Sequence, residues 1–72
     1  MKQDRILIIG AGGQIGAVLT EALRAAHGTD NVVATDLRDP GPQNGPTQVL
    51  DALDMQALGE AVQHWRINQI YH

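Results

Sequence analysis

Residues 5–9 are almost continuously apolar and rich in Ile, with no polar alternation, which predicts a strand buried on both faces, as in a parallel sheet. The run stops at Gly10. Downstream, apolar side chains recur at Ile15, Val18, Leu19, Ala22, Leu23 and Ala26, a spacing that predicts an amphipathic helix with Thr20, Glu21 and Arg24 on its polar face. His27 and Gly28 predict where it ends: a basic-capable last turn, then a glycine free to take a left-handed C-cap conformation. Residues 31–35 are β-branched and apolar and predict a second strand closing at Asp36. All three prolines (Pro40, Pro42, Pro46) fall within residues 37–46, together with Gly41 and Gly45, so that stretch is a loop. Residues 47–50 read as a short third strand. Asp54 is placed to cap a second helix whose apolar positions are Met55, Leu58, Ala61, Val62 and Trp65, and residues 67–71 read as a fourth strand.

Strand, helix, strand, loop, strand, helix, strand is the front half of a Rossmann-type, doubly wound parallel α/β sheet. Right-handed crossovers place the two helices on opposite faces, one on each, where two are usual. At 72 residues the chain is too short for a two-domain enzyme. It is expected to be one partial domain, 1–72, that continues beyond His72 in a longer protein. With one Trp, one Tyr and no Phe, its core must come from Ile, Leu, Val and Ala.

Charge and cysteine content narrow the partners. Five basic against eight acidic residues give a net charge of -3, and Lys2, Arg5, Arg24, Arg38 and Arg66 are scattered, which argues against nucleic-acid binding. The absence of cysteine removes disulfides, thiolate metal sites and a cysteine nucleophile, and fits a cytoplasmic protein. No apolar run is long enough for a membrane span. His27, His64 and His72 lack acids at ligand spacing, so no metal is expected; Trp65 reads as a packing residue.

The candidate chemistry sits in Gly10-Ala11-Gly12-Gly13-Gln14-Ile15-Gly16, with glycines at the first, fourth and seventh positions between a strand and a helix. One glycine permits the turn, one lets backbone N–H groups approach a pyrophosphate, and one lets the helix pack close to the sheet. The helix N-terminus then offers donors and a positive dipole end to the phosphates. Asp36 ends the next strand 20 residues beyond Gly16, where a carboxylate accepts from both hydroxyls of an adenosine ribose and repels a 2′-phosphate. That favours NAD over NADP; Arg38, two residues on, is the feature pointing the other way. Asp51 follows the third strand and is either an acceptor for the adenine amino group, with the Ala52 backbone beside it, or a turn-forming or helix-initiating acid. No lysine follows the glycine loop, which excludes a P-loop. A methyltransferase shares the loop and the distal acid, but does not need a glycine inside the helix start.

These residues resemble the extended short-chain dehydrogenase/reductase superfamily, NAD-dependent epimerase/dehydratase group, whose signature is G-x-x-G-x-x-G. Within it, the strings 8–16, 28–38 and 67–72 look most like the short-chain type of L-threonine 3-dehydrogenase. The resemblance implies that Gly10 through Ile15 wrap the pyrophosphate, with Gly16 closing the motif. It implies that Asp36 holds the ribose beside Leu37 and Arg38, and that Asp51 and Ala52 border the adenine. It further implies an oxidoreductase acting on an amino acid, and a homodimer in the longer protein. A nucleotide-sugar epimerase or dehydratase and a non-catalytic NAD-sensing module share the same features and stay open. The family's catalytic Tyr-x-x-x-Lys pair is not among these residues: Tyr71 is followed by His72 alone and the sole lysine is Lys2. Tyr71 therefore reads as a strand side chain, and no catalytic residue is assigned.

Overall fold

A computed structural model describes residues 3–39 and 45–72. The chain runs β1 (Ile6–Ile9), α1 (Gln14–His27), a 3-10 turn (Thr29–Asn31), β2 (Val32–Asp36), β3 (Thr47–Val49), α2 (Met55–His64) and β4 (Gln69–Tyr71). All pairings are parallel and the strand order is β3-β2-β1-β4. This is the predicted α/β half-sheet, with strand ends shifted by one or two residues. Of the loop predicted over 37–46, residues 40–44 lie outside the described residues, as does Lys2.

Alternation along the central strands divides the core in two. Ile6, Ile8, Val32 and Ala34 point to one face, where Leu19 and Leu23 of α1 cover them. Leu7 and Val33 point to the other, against Ala57, Leu58 and Ala61 of α2, with Leu50 and Trp65. The helices thus lie on opposite faces, as right-handed crossovers require. Fully burying each large aliphatic side chain here contributes about 1.5–3 kcal/mol, so β1 and β2 anchor the fold. Asp54 caps α2, its Oδ1 accepting from the Ala57 N–H at 3.1 Å. Among the described residues no helix is long and apolar enough to cross a membrane.

α1 corrects the sequence-based expectation. Only part of its apolar stripe faces the sheet: Leu19 and Leu23 do, whereas Ile15 is 85% and Val18 68% exposed, and the polar Thr20 and Arg24 are only 2% and 9% exposed. Gly16 explains the rotation. It sits against the backbone of Gly10 and Ala11, and this close seat turns positions 19, 20, 23 and 24 inward. The two polar residues are satisfied there. Thr20 Oγ1 donates to Gly16 O at 2.7 Å, and the Arg24 guanidinium donates to the carbonyls of Val32 and Pro46. Gly28 ends α1 with φ +94° but ψ 138°, so the positive φ is present and the left-handed cap conformation is not. The 3-10 turn that follows was not legible; Asn31 closes it back on α1, Nδ2 donating to His27 O at 2.7 Å.

Arg5 fastens the opposite edge. Its Nε and Nη2 donate to Trp65 O at 3.1 and 2.9 Å, and Nη1 donates to Asp30 O and Asn31 Oδ1. One guanidinium thereby joins the start of β1 to the end of α2 and the 3-10 turn. Trp65 packs as expected and also donates from Nε1 to Gln48 Oε1 at 2.6 Å, tying β3 to α2.

Candidate dinucleotide site

The glycine loop leaves β1 at Gly10, whose φ of +82° is a conformation that other residues rarely adopt. The N–H groups of Gly10 and Ala11 both donate to Thr35 O, at 3.0 and 2.9 Å, and Ala11 is fully buried. These two residues shape the turn from beneath instead of offering donors to a ligand. Gly13 is the helix N-cap; its carbonyl accepts from Ala17 N at 2.8 Å, and no side chain caps the helix. Gln14, Ile15 and Gly16 form the first turn, so their N–H groups have no intrahelical acceptor, and no acid lies among them. A pyrophosphate meets both needs at once, accepting from those donors and matching the dipole.

Asp36 comes to this loop from the end of β2. Its Oδ2 accepts from Gly12 N at 2.9 Å and its Oδ1 from Arg38 N at 3.4 Å. The Gly12 N–H first, then the Arg38 N–H, hold the Asp36 carboxyl below its ordinary 3.8, with Arg38's positive charge a smaller contribution. The group is therefore ionised at neutral pH, as a ribose acceptor must be. Gly12 lies outside the first-fourth-seventh pattern yet packs against Asp36: a Cβ there would lie 2.9 Å from Asp36 Oδ2, so the carboxylate would have to shift. That contact is tertiary and invisible in the spacing.

The remaining candidates fall around this pair. Leu37 and Arg38 are exposed just beyond Asp36. Asp51 is exposed after β3, brought alongside β2 by a bond from Leu50 N to Asp36 O of 2.8 Å. Its Oδ1 accepts from Leu53 N at 2.9 Å, so Asp51 does form a turn; its carboxylate still has lone pairs for another donor. Ala52 is half-buried beside it. Among the described residues, no three or more His, Asp or Glu gather as metal ligands. His27 Nδ1 lies 3.7 Å from Asp4 Oδ2 at the far end of α1.

A parallel βαβ unit whose glycine turn leads into an uncapped helix N-terminus, beside an acid ending the next strand, defines a dinucleotide-binding Rossmann half. The uncapped first-turn N–H groups of α1 and the ionised Asp36 fit such a cofactor. The chain belongs to the NAD dependent epimerase/dehydratase family, whose sequence profile matches residues 6–72.

Among curated relatives, an uncharacterized epimerase/dehydratase of Staphylococcus epidermidis is 42% identical over 94% of this chain and 23% of its own length. A Staphylococcus aureus counterpart is likewise 42% identical, with 22% of its length covered. Among solved structures, L-threonine dehydrogenase from Clostridium difficile superposes with a TM-score of 0.86 at 34% identity, over 97% of this chain and 23% of that one. A GalE-like L-threonine dehydrogenase from Cupriavidus necator, in its holo form, gives 0.88 at 37% identity, over 93% and 22%. The chain thus spans less than a quarter of the length of these relatives.

Proposed function

We propose that the full-length protein is an NAD-dependent dehydrogenase that oxidises the secondary alcohol of L-threonine to 2-amino-3-oxobutanoate, and that these 72 residues hold its cofactor. The observation that carries the cofactor part is the Asp36 carboxylate, held at the glycine loop by Gly12 N. The likeness to L-threonine dehydrogenases of known structure supports the substrate. When bound, the nicotinamide supplies the hydride acceptor. The chain's own residues bind and orient: the first-turn N–H groups of α1 take the pyrophosphate, Asp36 takes the ribose hydroxyls, and Asp51 with Ala52 borders the adenine.

A nucleotide-sugar epimerase or dehydratase is the second reading, favoured by the family of the staphylococcal relatives. Incubating the full-length protein with NAD+ and L-threonine should yield NADH and 2-amino-3-oxobutanoate. Turnover of a nucleoside diphosphate sugar with no threonine oxidation would overturn the substrate. Tight NAD binding without turnover of either would point to the sensing module.

A further inference from the structure

β3 is only three residues long, and Val49 on it is exposed, so little side-chain burial sets its register against β2. A slip of one residue would turn every side chain of such a strand to the other face. Arg24 stands at the point where the register is set. Its Nη2 donates to Pro46 O at 2.6 Å and to Val32 O at 3.2 Å, and Pro46 O also accepts from Ala34 N at 3.0 Å. The guanidinium therefore bridges the carbonyl before β3 to the first residue of β2. Gly45 closes over it: a Cβ there would lie 2.9 Å from Arg24 Cζ and 2.8 Å from Thr29 Cγ2. At the other end of the strand pair, Leu50 N donates to Asp36 O, which sets Asp51 next to Asp36.

Building on the dinucleotide reading above, we propose that Arg24 is a positioning residue for the adenosine end of the site. It touches no ligand. It holds the β2–β3 register from the far end, so that Asp51 and Ala52 arrive opposite Asp36 as one wall. Sequence periodicity places Arg24 on the polar face of α1; its burial, and carbonyl partners 8 and 22 residues away, show a different task.

The test uses calorimetric titration of the full-length protein with ADP-ribose, which carries the adenosine and pyrophosphate but no nicotinamide, alongside thermal melting. Arg24→Leu should raise the dissociation constant of the folded protein roughly tenfold or more through misplacement of the wall. Arg24→Lys, which keeps one charged donor, should recover part of that loss. Gly45→Ala, which displaces the guanidinium without removing it, should reproduce the loss, and it decides the matter if Arg24→Leu does not fold. A merely structural arginine would lower the melting temperature while leaving the dissociation constant of the folded fraction unchanged in Arg24→Leu or Gly45→Ala, and that result would overturn the proposal. A wild-type protein that does not bind ADP-ribose would instead overturn the dinucleotide reading itself.

Discussion

Gly16→Ala should cost the protein both stability and cofactor binding. Helix propensity alone predicts the opposite sign, because alanine is favoured over glycine by about 1 kcal/mol in a helix interior. The contact decides. A Cβ at Gly16 would collide with the Gly10 carbonyl oxygen and lie 2.8 Å from Ala11 Cα, both backbone atoms that no side-chain rotation can clear. Relief requires α1 to lift from β1, and overpacking of this kind costs about 1–3 kcal/mol, toward the upper end where backbone must move. Lifting α1 also moves the N–H groups of Gln14 and Ile15. Gly59 supplies the control: in mid α2, a Cβ there would meet nothing within 4 Å, so Gly59→Ala should stabilise by roughly 0.5–1 kcal/mol. Thermal melts and NAD titrations of the two variants in the full-length protein should move in opposite directions in stability, with NAD binding lost only in Gly16→Ala. Equal melting temperatures and equal affinities would refute the close-packing role of Gly16.

Asp36→Ala should weaken NAD binding by roughly 10- to 100-fold, the loss of a charged acceptor worth about 1.5–3 kcal/mol. NADP should lose much less, since the same change removes a charge that repels its 2′-phosphate and leaves Arg38 beside it. Asp36→Asn should fall between, because an amide oxygen can still accept from Gly12 N while the charge is gone. The wild-type preference for NAD should also persist into acid. Because Gly12 N–H and Arg38 N–H hold the carboxyl below its ordinary 3.8, the charged form survives as pH falls to that value and is lost only beneath it. Dissociation constants for both dinucleotides across pH would show this. Equal weakening of NAD and NADP in Asp36→Ala would remove Asp36 from the ribose.

The parts legible in the sequence were those set by local chemistry. Gly10, Gly13 and Gly16 mark the turn and close approach, Asp36 stands at the right distance, and Asp54 caps its helix as the residue type predicts. Periodicity gives only Leu19 and Leu23 of the inward α1 face, because it weighs apolarity alone. Gly16, the residue that must seat against β1, sets which positions turn inward, and counting three, four, seven and eight residues on from it reaches Leu19, Thr20, Leu23 and Arg24. For the buried Thr35 and the half-buried Arg5 a second reason applies: their partners are remote. Thr35 Oγ1 donates to Ile8 O at 2.7 Å and Arg5 reaches Trp65 O, separations of 27 and 60 residues that no local pattern encodes. Gly12 belongs with them, since its N–H donates to Asp36, 24 residues away.

A crystal structure of the full-length protein with NAD bound should show the adenosine ribose hydroxyls within hydrogen-bonding distance of the Asp36 carboxylate, and the pyrophosphate oxygens on the first-turn N–H groups of α1. A dinucleotide bound elsewhere, or seated here with its ribose turned away from Asp36, would contradict this placement of the cofactor.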